Sequence, residues 1–141
     1  MSSAHQATCV ALAGRGVLIE GAPGTGKSSL ALALIDRGAT LVGDDGVVLS
    51  TREGCLVAAP HPEIYGKLEV RNVGLVDMPV AAAIPVALVI RLDAGAPRFI
   101  DAPETVHLEG IALPQVRLFP DTPALALRAE IALQTYGLMF S

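Results

Sequence analysis

Residues 21–28 read Gly21-Ala22-Pro23-Gly24-Thr25-Gly26-Lys27-Ser28, a complete G-x-x-x-x-G-K-[ST] spacing. Glycines at these intervals let the backbone fold into a nest of N–H groups around phosphate oxygens. A helix starting just after the loop adds the positive end of its dipole. In that arrangement Lys27 reaches the β- and γ-phosphates and the Ser28 hydroxyl holds Mg²⁺. Asp44-Asp45 and the run Lys67-Leu68-Glu69-Val70-Arg71 supply the other charged side chains whose spacing could do chemistry. Adjacent carboxylates can divide the work: one accepts a proton from an attacking hydroxyl while the other helps hold metal or its waters. On a strand, Glu69 and Arg71 share a face, which would let Glu69 complete a Mg²⁺ site and Arg71 touch phosphate.

These groups need elements to position them. Gly16 to Glu20 is a short, apolar, β-branched run before the loop, and Ser28 to Arg37 has the composition of a helix after it. The loop therefore falls at the strand-to-helix junction its chemistry requires. Ala7 to Ala13 and Gly16 to Glu20 read as a hairpin with a tight Gly14-Arg15 turn. Arg37-Gly38 stops the helix, and Thr40 to Gly43 returns as a strand. That order predicts parallel pairing with the first strand through a right-handed crossover. Asp44-Asp45 then sits at the carboxyl end of a strand, the edge where open α/β sheets bind ligands. Asp45-Gly46 is also a good hairpin-turn dipeptide, so a turn competes with the functional reading. By spacing alone, Glu69 and Arg71 read as a solvent-facing pair on an amphipathic strand.

Further strands are expected at Val47 to Ser50, Cys55 to Ala58, along Lys67 to Met78 with a break at Asn72-Val73-Gly74, and at Val86 to Leu92. Ala94 to Ile100 and Ala102 to His107 read as loop or edge material, and Ala124 to Tyr136 as a closing helix. The expected fold is α/β: a P-loop (Walker A) nucleotide-binding core elaborated with antiparallel strands, within one domain spanning 1–141.

Bulk properties exclude several functions. A net charge of −4 and two Tyr, three Phe and no Trp argue against nucleic-acid binding. The longest apolar stretch, Val80 to Ile90, is broken by Pro85 and falls short of the ~18 residues a membrane span needs. The N-terminus shows no basic-then-apolar signal pattern, and Cys9 and Cys55 lack disulfide or metal spacing, so a reducing cytoplasm is expected. A hydrophobic content of 52% is compatible with a face covered by a second subunit.

Taken together, the phosphate loop, Arg37-Gly38, Asp44-Asp45 and Glu69-Val70-Arg71-Asn72-Val73-Gly74 resemble, in order, the signature of the bacterial HPr kinase/phosphorylase catalytic domain. The resemblance covers nearly the whole chain and is nearest to the short alphaproteobacterial form that lacks the N-terminal domain. It implies an HPr kinase-like fold and an ATP- and Mg²⁺-dependent kinase acting on a serine of HPr, the small carrier of the sugar phosphotransferase system. It also implies a homo-oligomer, commonly a hexamer. By position, Asp45 would be the proton acceptor, Asp44 its support, Lys27 a phosphate ligand, and Ser28 with Glu69 the Mg²⁺ ligands. His5 would occupy the place of an active-site histidine before the loop, and Arg98 that of a catalytic arginine.

Two departures bear on the reverse reaction, phosphorolysis of phospho-seryl HPr. Asn72 stands where the signature has glycine, and Phe119-Pro120-Asp121-Thr122-Pro123 stands where the family has a segment rich in arginine. Fewer cations weaken a second phosphate site, so only the forward reaction is expected. The alternative reading is a nucleotide-sensing regulatory module with weak or no phosphotransfer. Absence of an arginine-rich lid argues against a small-molecule kinase.

Overall fold

The computed structural model describes residues 2–120 and 123–140. Asp121 and Thr122, within the segment compared above with the family's arginine-rich stretch, lie outside the described residues. The elements run β1 (Ser2–His5), β2 (Thr8–Leu12), β3 (Arg15–Gly21), α1 (Lys27–Asp36), β4 (Thr40–Gly43), β5 (Val47–Arg52), β6 (Cys55–Pro60), β7 (Lys67–Val70), β8 (Gly74–Asp77), β9 (Ile84–Leu92), β10 (Glu104–Leu108), β11 (Ile111–Leu118) and α2 (Leu125–Tyr136). Nine strands join in one sheet, ordered β1-β5-β6-β9-β3-β2-β4, with β11 also on β9 and β10 on β11. β7 and β8 form a separate hairpin. The expected α/β fold elaborated with antiparallel strands is what the chain adopts.

β9 is the axis of the sheet. One edge pairs in parallel with β3; the other is shared, Ile84 and Pro85 bonding antiparallel β6 and Val89 to Leu92 bonding parallel β11. This shared edge lets the sheet curl back on itself. Two cores result. Val17, Ile19, Leu88 and Ile90 point toward α1 and α2, whereas Leu18, Val89, Cys9 and Val42 point toward Val47, Leu49 and Leu56 of the curled part. Alternation along β9 slips at Ala87 and Leu88, which both face the helices. The pairing explains this: Gly16 opposes Val86 and Val17 opposes Leu88, so Ala87 is the extra residue of a bulge.

The helix-flanked half resolves two sequence expectations differently. The hairpin turn is Ala13-Gly14, both with positive φ (52° and 79°), and Arg15 already belongs to β3; two such residues give the turn whose twist matches the strands. β4 does not pair with β3. It takes the free edge of β2, antiparallel to it, and so runs parallel to β3 with β2 between them. The hairpin had already occupied one edge of β3 and β9 the other, so β4 had to dock one strand further out.

α1 ends as its sequence requires. Gly38 takes φ +111°, its N–H bonds Ile35 O, and the Ala39 N–H bonds Leu34 O at 2.9 Å, a Schellman arrangement. Residues 102–107 contain an edge strand, β10, while β11 is a strand the sequence reading passed over. β5 extends to Arg52, β6 to Pro60, and β9 starts two residues early. Cys9 is fully buried, and burial pushes its thiol up to about 12, so it packs as a small hydrophobe; Cys55 is only half-buried.

Candidate active site

The carboxyl ends of β3 and β4 lie on the same edge of the sheet, because the two strands run in parallel. β3 delivers the loop Gly21 to Gly26 into α1, and β4 delivers Asp44-Asp45 beside it. The competing hairpin-turn reading of Asp44-Asp45-Gly46 does not hold, since β4 bonds β2 and β5 bonds β1 and β6. The acidic pair sits instead where the chain crosses from the helix-flanked sheet to the curled one. That crossing is tight. A Cβ on Gly43 would come within 2.4 Å of the Gly46 carbonyl oxygen, and Asp45 is held at φ +58°, a conformation that Asp tolerates better than most residues.

A cleft of about 410 Å³ opens there, lined by Gly21, Pro23, Gly24, Gly26, Lys27, Ser28, Asp44, Asp45, Glu69 and Arg71, together with Gln6, Thr8 and Ser29. Gly24 and Gly26 have φ +82° and +98°, which turn their N–H groups along the loop. Gly26 caps α1 with no side chain, and the first turn carries no acidic residue. The positive end of this helix is therefore offered to the cleft rather than neutralised internally. Ala22 and Thr25 do not line the cleft. They brace the loop instead, the Thr25 hydroxyl donating to Ala22 O at 2.7 Å. Lys27 Nζ donates to Gly21 O at 2.9 Å and Ala22 O at 3.4 Å, which draws the loop closed beneath its ammonium group.

The two aspartates have different surroundings. Asp44 accepts three hydrogen bonds: Ser28 Oγ at 2.6 Å and Thr8 Oγ1 at 3.1 Å on Oδ1, and the Glu69 N–H at 3.0 Å on Oδ2. The Asp45 carboxylate is exposed and, among the described residues, has no hydrogen-bond or ion-pair partner. So one acid is fixed against the helix start and the other projects freely into the same cleft. Glu69 arrives because Leu68, fully buried beside α1, anchors β7 in the core and turns Glu69 outward. Asn72 adopts φ +69° in the β7–β8 turn. The position needs left-handed backbone, and asparagine supplies it in place of the signature's glycine.

Thr8 is the residue the sequence hid. It is fully buried on β2, donates to Asp44 and accepts the Asp45 N–H at 3.3 Å. Only the pairing of β2 with β4 brings it to the acidic pair. Thr8→Val, which keeps shape and removes both bonds, is expected to cost about 1–3 kcal/mol of folding stability, with Thr8→Ser restoring most of it. Urea unfolding midpoints of the three proteins check this.

His5 and Arg98 are not gathered into the cleft. Arg98 lies exposed on the connection between β9 and β10. His5, at the end of β1, bonds Glu20 Oε2 through Nε2 at 2.6 Å, and Arg91 approaches the other Glu20 oxygen at 3.7 Å. The hydrogen bond to Glu20, helped by the charges of Glu20 and Glu109 and opposed by burial, raises the imidazole above its ordinary 6.5. Because the folded value is the higher one, this contribution to stability is complete below about pH 6.5 and fades as pH rises through the folded value. The pair is partly exposed, so its worth is about 0.2–1 kcal/mol. His5→Gln is expected to lower the urea midpoint near pH 6 and leave it unchanged near pH 9. Equal differences at both would remove the role of the charge.

The donor set suits a magnesium nucleotide. Among the described residues, no group of three His, Cys, Asp or Glu side chains converges to hold a metal on its own. Mg²⁺ is usually held by one or two carboxylates plus substrate phosphates and water. Ser28 Oγ, Asp44 and Glu69 are hard oxygen donors, set beside an uncapped helix start able to receive those phosphates.

Residues 1–87 match the family model of the HPr Serine kinase C-terminal domain. An HPr kinase/phosphorylase of Streptococcus thermophilus is 36% identical over 118 residues, covering 74% of this chain and 38% of the relative. One from Limosilactobacillus reuteri is 32% identical over 141 residues, covering 90% and 44%. The chain thus spans less than half the length of these curated relatives. The solved structure of the HPr(Ser) kinase/phosphatase from Coxiella burnetii superposes with a TM-score of 0.82 at 29% identity, covering 94% of each chain. No described helix is long and apolar enough to cross a membrane. The family model spans more than half of the 141 residues and takes in the loop, the acidic pair and the β7–β8 hairpin, so the chain belongs to the HPr serine kinase C-terminal-domain family.

Proposed function

We propose that this chain is an ATP- and Mg²⁺-dependent protein-serine kinase that phosphorylates HPr in the cytoplasm, as one catalytic domain working in a homo-oligomer. The observation that carries the reading is the division of labour at the acidic pair. Asp44 is tied to Ser28 Oγ at 2.6 Å, and Asp45 stands beside it with a free carboxylate. Phosphoryl transfer asks a protein mainly for positioning and charge neutralisation. Mg²⁺-ATP supplies the transferable phosphoryl group and a cation that offsets its charge. The loop N–H groups and the start of α1 bind the phosphates, Lys27 and Arg71 add positive charge, and Ser28, Asp44 and Glu69 hold the metal. Asp45 accepts the proton of the HPr serine hydroxyl as the new O–P bond forms and the bond to the departing ADP oxygen breaks.

This assignment gives Asp44 a metal-holding role as well as support of its neighbour. His5 and Arg98 are left outside the chemistry of a single chain. The proposal is confined to the forward reaction, for the cleft's cations are Lys27 and Arg71. Incubation with γ-labelled ATP, Mg²⁺ and HPr is expected to place label on an HPr serine. Tight ATP binding with no label on HPr would instead mean a nucleotide-sensing module.

A further inference from the structure

The Asp45 carboxylate has no partner among the described residues, so its direction comes from its backbone. That backbone is held in an unfavourable state. Asp45 has φ +58°, a left-handed conformation that a residue with a side chain occupies at a cost. The last pair that β4 makes with β2 before the acidic pair is Gly43 opposite Cys9. Beyond it the ladder stops and a side chain takes over, Thr8 Oγ1 accepting the Asp45 N–H at 3.3 Å. The same hydroxyl donates to Asp44 Oδ1 at 3.1 Å. A carboxylate only accepts and a backbone N–H only donates, so the hydroxyl hydrogen has one direction. Branching at Cβ restricts χ1 as well, and Thr8 is fully buried. The two acids depend on it unequally. Without Thr8, Asp44 keeps Ser28 Oγ and the Glu69 N–H, whereas Asp45 loses its one hydrogen bond among the described residues. Thr8 is itself fixed by pairing with Ile19 of β3, just before that strand enters the phosphate loop. The strand that carries the loop therefore also fixes the hydroxyl that holds Asp45.

Resting on the proposed function, we infer that Thr8 is a positioning residue for phosphoryl transfer, its hydroxyl setting the direction of Asp45 relative to phosphates on the loop. In this role it touches neither the nucleotide nor the acceptor serine and acts through Asp45. Transfer needs reacting groups aligned about 3–3.5 Å apart, and a misplacement of about 1 Å costs on the order of 10²-fold. Once the Thr8 bond is gone, nothing described holds Asp45 in the left-handed region, and the backbone relaxes toward more favourable conformations. That relaxation turns the carboxylate away from the loop. Nucleotide and HPr binding precede transfer and do not use this direction, so the loss falls on the transfer step.

The test is a double-mutant cycle on the full chain. Single-turnover transfer to HPr and ATP affinity are measured for wild type, Thr8→Val, Thr8→Ser, Asp45→Asn and Thr8→Val with Asp45→Asn, at a temperature where circular dichroism shows each folded. Thr8→Val is expected to lower the transfer rate about 10²-fold. ATP affinity and the HPr concentration for half-maximal rate stay within about threefold, the split expected when only the transfer step is touched. Thr8→Ser keeps the hydroxyl and restores the rate to within about threefold of wild type. In the Asp45→Asn background, Thr8→Val is expected to cost less than about twofold more, because residues that act as a unit are not additive. The same fold-loss in both backgrounds is what a merely structural threonine gives, and it overturns the inference. So does a folded Thr8→Val that transfers at the wild-type rate. If Thr8→Val does not fold, Thr8→Cys takes its place in the cycle, with a smaller expected loss of about tenfold because a thiol donates and accepts weakly. Absence of transfer to HPr by wild type overturns the proposed function instead, and this inference with it.

Discussion

Asp45→Asn is expected to bind Mg²⁺-ATP as wild type does and to lose about 10²–10⁴-fold in the rate of transfer to HPr, the range contributed by a positioned general base. The change is nearly isosteric and leaves a side chain that can no longer accept a proton as a carboxylate does. Its surroundings favour a clean result. The Asp45 carboxylate has no partner among the described residues to be stranded by the substitution, and its backbone N–H keeps its bond to Thr8 Oγ1. The same change at Asp44 would disturb three hydrogen bonds at once and would mix positional with chemical loss. Single-turnover transfer at saturating ATP, with nucleotide affinity measured separately, checks the prediction. Near-normal transfer by the variant would remove Asp45 as the base.

Lys27→Ala is expected to act on a different quantity. Its ammonium both adds charge at the phosphates and bonds Gly21 O and Ala22 O. Its removal should cost nucleotide binding as well as transfer, because it takes away a charge-assisted contact and loosens the loop that presents the N–H groups. A bond to a charged group is worth about 1.5–3 kcal/mol, or roughly 10–150-fold in ATP affinity. A stabiliser lost where charge develops costs transfer a further ~10²-fold or more. Titration with Mg²⁺-ATP and the transfer rate together check this. Unchanged values of both would exclude Lys27 from the phosphate site. The two variants thus separate binding from proton transfer, which a single loss of activity could not.

Local features of the chain were readable and long-range ones were not. The Gly21-to-Ser28 spacing carries its own geometry, since it depends on glycines at particular steps and a helix directly after them. Gly38 likewise signalled the end of α1 through a conformation few other residues adopt cheaply. The position of β4 depended instead on which strand edges were already taken, a competition among segments far apart in sequence. β11 was concealed by Pro114, which breaks a strand pattern. The chain tolerates it because the ladder to β9 begins at the next residue, Gln115. At the site, residue type and spacing pointed to the acidic pair, whereas Glu69 and Arg71 read by spacing as a solvent-facing pair and gained a role from the family signature. Thr8 gave no such signal, for a threonine on a buried strand reads as packing until the neighbouring strand is known. His5 pointed to chemistry by its type, and its partner Glu20 became visible only when β1 and β3 ended side by side. Arg98 was suggested by its place in the family resemblance, and it lies exposed on the connection between β9 and β10, outside the lining of the cleft.

The measurement that bears most directly on the central claim is the mass of HPr after incubation with this chain, ATP and Mg²⁺, with the modified residue mapped by fragmentation. The account predicts one added phosphate on a serine, formed by wild type, abolished by chelation of Mg²⁺ and nearly absent with Asp45→Asn. HPr that keeps its mass while the chain binds ATP tightly, or phosphate appearing at the same rate with Asp45→Asn, would contradict it.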